Sequence, residues 1–196
     1  MICTALLTSF LLFGDSRCWV NSSGNPALHS YLQTACPGVT ITSDCSPGRG
    51  VFANGWGGPP ASDLAARVAT DNPDGCLLML GVNDNTSTPE QIAAGLKSLG
   101  DICVAGGAQP IVVTGFPIAD GWTAGKAAWN ERVMDRQVEL ARGLGWPVIE
   151  LHRAFDPLTF KAACTTNPST GLPDGVHPYD ATCKTTAANY VAARMP

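Results

Sequence analysis

The chain has 196 residues, 45% of them hydrophobic and only 14% charged, with a formal net charge of −4. Such a composition excludes a disordered chain, and the length suits one domain over residues 1–196 with a sizeable core. The 12 basic residues are scattered rather than clustered, which leaves no electrostatic footprint for nucleic acid or an anionic membrane and suits a small neutral substrate.

No apolar run reaches the roughly 18 residues that a bilayer-spanning helix needs. Residues Met1 to Phe13 have the apolar content of a weak signal peptide but lack a basic start, and cleavage near Phe13 would remove the run that follows. This stretch is therefore read as a first strand with a short lead, and a targeting segment is expected to precede it. Eight cysteines occur without a C-x-x-C pair or a Cys/His cluster at zinc spacing. Neither a metal nor any other cofactor is indicated; disulfides, an oxidising compartment and a secreted protein are.

In chain order, Phe10-Leu11-Leu12-Phe13 is an apolar run that stops at Gly14-Asp15-Ser16, and as a buried strand it would leave Ser16 just past its carboxyl end. Taken alone, that tripeptide is more often a helix start than a nucleophile. Pro26 to Cys36 has Leu28, Tyr31, Leu32 and Ala35 at helical spacing, with His29 off the stripe and expected on the surface. The β-branched run Val39 to Ser43 is a second strand and empties into a loop rich in Gly and Pro, Asp44 to Pro60. Backbone N–H groups can turn outward in such a loop.

A helix is expected over Ala61 to Thr70, with Ser62 available as its cap, followed by a buried strand at Cys76 to Leu80 that ends in Gly81-Val82-Asn83-Asp84. Thr88-Pro89-Glu90-Gln91 opens a helix reaching about Val104. Pro110 to Thr114 is the fourth strand, Thr123 to Leu144 the longest helical pattern, and Trp146 to Glu150 a short fifth strand. Asp156 to Pro173 reads as a long loop delivering Asp174-Gly175-Val176-His177, and a closing helix runs from Asp180, capped by it or by Tyr179, to Arg194. Five strands separated by helical patterns, with no hairpin signal, imply a three-layer α/β/α domain with a parallel sheet.

Four blocks in this order, Gly14-Asp15-Ser16, the glycine loop with Gly48, Gly81-Val82-Asn83-Asp84 and Asp174-Gly175-Val176-His177, resemble those of the SGNH or GDSL hydrolases. The resemblance runs from the first strand to the last helix and implies a flavodoxin-like sheet of order 2-1-3-4-5. It implies Ser16 as nucleophile, His177 as general base and then acid, and Asp174 as the carboxylate that orients it. The implied oxyanion hole consists of the backbone N–H groups of Ser16 and Gly48 and the side-chain amide of Asn83. Gly50 competes with Gly48, but the pair Gly48-Arg49 is similar to the Gly-Arg of carbohydrate acetylesterases in that superfamily.

The chemistry points the same way: of three histidines only His177 has a carboxylate three residues before it on a loop. His152 could rival it, yet lacks such a partner and is read as structural. The G-x-S-x-G elbow of the other common serine esterase fold is absent. Departures from the family pattern at Arg17-Cys18-Trp19 bear on the acyl pocket, and Arg17, Trp19, Arg49, Trp56 and Trp122 are candidate substrate-binding residues. The expected activity is cleavage of short acyl esters, including acetyl groups on carbohydrate, through an acyl-Ser16 intermediate. Lipase- or thioesterase-like action on longer chains and a silent binding module of the same fold are the alternatives.

Cys164 and Cys183 bracket the Asp174–His177 block, so a bridge between them would pin it. Cys3, Cys76 and Cys103 are expected at the base of the sheet and Cys18, Cys36 and Cys45 at its top. That odd split requires one misplacement or two free thiols.

Overall fold

Strand β1 (Ser9–Gly14) carries four large apolar side chains whose alternation sends Phe10 and Leu12 to one face and Leu11 and Phe13 to the other. All four are buried, so β1 has to lie in the middle of a sheet covered on both sides. The computed structural model, which describes residues 6–19, 27–53, 59–118 and 125–196 without the side chains of Trp19 and Leu158, meets that requirement. β1 pairs in parallel with β2 (Thr40–Cys45) and with β3 (Gly75–Met79). β4 (Gln109–Val113) and β5 (Val148–Ile149) extend the sheet beyond β3, giving the all-parallel order β2-β1-β3-β4-β5.

A parallel sheet needs crossovers long enough to return to the starting edge, and helices supply them. After the single turn α1 (Ser16–Trp19), α2 (Leu28–Ala35) packs Leu28 and Leu32 against Phe10, Leu12, Leu77 and Met79. The closing helix α7 (Ala181–Ala192) covers the same face through Ala187, Ala188 and Val191. On the other face α3 (Pro60–Asp71), α4 (Pro89–Ala105) and α5 (Lys126–Leu144) bring Leu64, Ile92, Leu96 and Val133 onto Leu11, Phe13, Leu78 and Leu80. The result is the expected three-layer α/β/α arrangement.

The elements differ from expectation in a few places. α6 (Pro157–Cys164) occupies half of the stretch read as loop; the Asp156 carboxylate caps it by accepting from Thr159 N, with Pro157 in its first turn. β5 has two residues because Pro147 has no N–H for the ladder and the chain turns into a 3₁₀ segment, Leu151–Ala154, that buries Leu151. Ser62 lies inside α3, where Pro59 is the cap, and Asp180 rather than Tyr179 caps α7. His29 is half-buried on α2, its Nδ1 2.9 Å from the Ser43 Oγ of β2, and burial lowers its pKa.

Cys18–Cys45 and Cys164–Cys183 are disulfides, the second as expected. Cys36 is disulfide-bonded too, but it follows α2 at the base of the sheet rather than the top. Cys76 and Cys103 are free thiols, both buried, and a hydrogen bond between them together with burial pushes the Cys103 thiol up. Among the described residues no helix is long and apolar enough to cross a membrane, and no cluster of His, Cys, Asp or Glu is set to hold a metal ion.

Candidate active site

Ser16 stands where β1 leaves the sheet. Gly14 N-terminal to it has to be glycine, because a Cβ there would lie 2.5 Å from Cys18 Sγ and 2.8 Å from the Met79 carbonyl oxygen. Asp15 N–H donates to Met79 O, the chain turns, and Ser16 opens the one-turn helix with its Oγ 2.9 Å from His177 Nε2. His177 Nδ1 is in turn 2.8 Å from Asp174 Oδ2. The three residues, 158 and 3 positions apart in sequence, thus form one hydrogen-bonded line of hydroxyl, imidazole and carboxylate.

The Asp-x-x-His spacing works because one carboxylate oxygen can serve the backbone while the other serves the ring. Asp174 Oδ1 accepts from Val176 N at 2.8 Å and from His177 N at 2.9 Å. Burial alone would raise the carboxyl pKa, but the ring and backbone donors of His177 and the Val176 N–H outweigh it and hold Asp174 below the usual range. This turn is anchored to the end of α6: Asp174 N and Tyr179 N donate to the carbonyls of Thr165 and Cys164, and Gly175 N to Thr165 Oγ1. The Cys164–Cys183 bridge ties the end of α6 to the first turn of α7, which directly follows this turn.

Opposite lies the glycine loop. Gly48 takes φ +72°, a left-handed conformation that side chains disfavour. Asn83, just beyond β3, donates from Nδ2 to Arg49 O at 2.9 Å, which ties its amide to this loop and leaves its second amide hydrogen uncommitted by that bond. Asp84 beside it is buried and accepts from Val51 N at 2.8 Å. Burial raises the Asp84 pKa, opposed by the N–H groups of Val51 and Phe52.

Of the candidate substrate-binding residues, Arg17 and Arg49 face inward. The Arg17 guanidinium is buried, with Nε and Nη2 on the Asp15 carboxylate, Nη1 toward Phe116 O, and the group lying against Gly115. It braces the serine turn rather than lining a substrate wall. Arg49 is also buried, paired with Asp44 at 2.9 Å and Asp63 at 3.4 Å over the Phe13 ring. Trp19 ends α1, with its side chain outside the description, and Trp56 and Trp122 lie outside the described residues.

His152 does not join the line of Ser16 and His177. Its Nδ1 is 2.7 Å from Thr114 Oγ1, and burial lowers its pKa. It lines a cavity of about 450 Å³ together with Ile118, Met134 and Phe155. Ile118 also packs with Val82 and Val176, the residues preceding Asn83 and His177, so this cavity adjoins the Ser16 site.

Sequence reasoning missed the structural roles of Asp15, Arg17 and Asp84. For the first two a signal existed: opposite charges flanking Ser16 two residues apart, in a chain with few charges. Asp84 offered only its adjacency to Asn83.

No protein-family model matches the sequence, and no curated protein matches it either. Solved structures do. A carbohydrate acetylesterase from Sinorhizobium meliloti is similar at 19% identity and TM-score 0.73, covering 94% of this chain and 96% of that one. The M. smegmatis aryl esterase is similar at 19% identity and TM-score 0.74, with the same coverage. A protein from Desulfitobacterium hafniense DCB-2, described as lipolytic and of the G-D-S-L family, follows at 13% identity and TM-score 0.70, covering 94% and 98%. Sheet order, layers and the near-complete overlap show that this chain shares the fold of these esterases and of the G-D-S-L family protein.

Proposed function

We propose that the chain is a serine hydrolase of carboxylic esters with Ser16 as nucleophile, His177 as acid–base and Asp174 as its orienting carboxylate. The observation that carries this reading is the line Ser16 Oγ, His177 Nε2, His177 Nδ1 and Asp174 Oδ2, with links of 2.9 and 2.8 Å. A hydroxyl becomes a useful nucleophile when a neutral imidazole can take its proton, and a carboxylate on the far nitrogen fixes the tautomer and stabilises the imidazolium that forms.

Ser16 Oγ attacks the ester carbonyl carbon as its proton passes to His177 Nε2. The tetrahedral oxyanion is met by the backbone N–H groups of Ser16 and Gly48 and the free amide hydrogen of Asn83. Collapse breaks the bond to the alcohol, which leaves with the proton from His177. Water then attacks the acyl-Ser16 carbonyl, gives its proton to His177, and collapse releases the carboxylic acid while Ser16 Oγ regains a proton. No metal or other cofactor enters these steps.

Short acyl esters, including acetyl groups on carbohydrate, are the substrates this reading favours. Two of the similar structures are a carbohydrate acetylesterase and an acetyl-xylooligosaccharide esterase, the latter at 18% identity and TM-score 0.67. The cavity of about 450 Å³ beside the site supports a second reading, acyl or aryl groups much larger than acetyl. Disulfides support a secreted enzyme. The test is hydrolysis of 4-nitrophenyl esters from acetyl to palmitoyl and of acetylated xylan, with fluorophosphonate labelling of Ser16. Activity peaking at acetyl and abolished in Ser16→Ala is expected; a Ser16→Ala variant that keeps full activity overturns the mechanism, and no turnover or labelling of the native chain would mark a binding module.

A further inference from the structure

The block Gly81-Val82-Asn83-Asp84 contributes Asn83 to the mechanism above and leaves Asp84, a buried carboxylate with no part in the proton transfers, unexplained. Its surroundings are specific. Asp84 Oδ2 accepts from Val51 N at 2.8 Å, and the carboxylate lies directly on the backbone of Gly50: a Cβ there would sit 2.3 Å from Oδ1 and 2.7 Å from Oδ2. Gly50 is not among the positive-φ glycines, so its backbone tolerates any side chain and the close approach of Asp84 alone demands glycine. Asn83, next to it, holds the carbonyl of Arg49. Consecutive side chains from the end of β3 therefore grip consecutive peptide units, 49–50 and 50–51, immediately after Gly48. The far side is fixed by the Arg49 guanidinium on Asp44 and Asp63.

We infer that Asp84 is a positioning residue for the oxyanion hole, holding the Gly50–Val51 peptide so that the Gly48 N–H and the Asn83 amide converge on one point. This rests on the proposed role of Gly48 and Asn83. Burying a carboxylate costs free energy unless hydrogen bonds compensate it, and the N–H of Val51 supplies one where a neutral side chain would leave that donor unpaired. Removing Asp84 frees the loop to move by fractions of an ångström. That displacement weakens contacts to the tetrahedral oxyanion more than contacts to the bound ester, so the effect falls on kcat and not on KM.

The test uses Asp84→Ala, Asp84→Asn and Gly50→Ala, with kcat normalised to sites titrated by fluorophosphonate and an alkylboronic acid as tetrahedral mimic. Asp84→Ala is expected to lower kcat about 10- to 100-fold, short of the ~10²–10³ lost on deleting an oxyanion donor itself. KM should stay within about threefold, and boronate affinity should fall in step with kcat. Asp84→Asn, whose amide oxygen can still accept from Val51, restores part of the loss. Gly50→Ala, which pushes the carboxylate off the loop, reproduces the split and decides the matter if Asp84→Ala does not fold. A kcat per titrated site within threefold of the native value in folded Asp84→Ala, or in Gly50→Ala where Asp84→Ala does not fold, overturns the inference while leaving the Ser16 mechanism standing; hydrolysis surviving Ser16→Ala removes the mechanism itself.

Discussion

A carboxylate serving two backbone donors and an imidazole at once, as Asp174 does, couples the chemistry of a single residue to the stability of its loop. Its folded pKa is depressed, so its contribution is fully present above the unfolded carboxyl value of about 4 and is lost as pH falls through the folded value. Asp174→Asn is expected to keep the loop near neutral pH and to flatten the acid arm of stability below about pH 4, read as urea midpoints from pH 5 to pH 2.5. The same variant should lower kcat by about 10⁴ by favouring the wrong tautomer of His177, with Ser16 still in place. At this scale Ser16, Asn83, Asp174 and His177 were legible because each follows a periodic element or carries its partner at fixed spacing. Arg17 and Arg49 were not, because a cation on a loop can face solvent, substrate or a buried carboxylate, and only the positions of Asp15, Asp44 and Asp63 decide which.

Elements set where those residues meet. β1 and β3 end side by side, with Gly14 opposite Met79, so the Ser16 turn and the Asn83 turn emerge from neighbouring strands. The hydrogen-bonded Asp174–His177 pair comes from the segment between α6 and α7, closed by a disulfide spanning 19 residues. A Cys164→Ser/Cys183→Ser variant is expected to lose about 3 kcal/mol of stability by urea titration and to show reduced kcat at near-native KM, because the Asp174–His177 turn hangs on the ends of both helices. The four longer strands and helices α3, α4 and α5 were readable from apolar runs and helical spacing. α6 was not: eight residues with Thr and Lys interleaved give too few turns for a periodic signal, although its Asp-Pro start was present.

The whole molecule distributes few charges, and several of them inward. Lys184 on α7 is buried, and burial depresses its pKa to about 8, against about 10.4 in an unfolded chain. Between those values the unfolded state binds the extra proton, so stability rises with pH from about 8 to about 10. Lys184→Met should abolish that rise, measured as the difference between urea midpoints at pH 8 and pH 10. The overall architecture was legible because strands alternating with helices admit few topologies, and a buried run on both faces forces β1 to the centre.

The line from Ser16 to His177 closes over 161 positions, and this bears on how the protein is made. Synthesis delivers Ser16 161 residues before His177, so the serine turn can form well before the imidazole that meets its hydroxyl has been made. Cys18–Cys45, spanning 27 residues, can form early in synthesis; Cys164–Cys183, spanning 19, has to wait until Cys183 has been made. A nascent chain that stops before Asp174 would therefore hold its serine turn without the Asp174–His177 pair. On the mechanism proposed above, hydrolysis therefore cannot begin until His177 has been translated and folded onto the Ser16 turn.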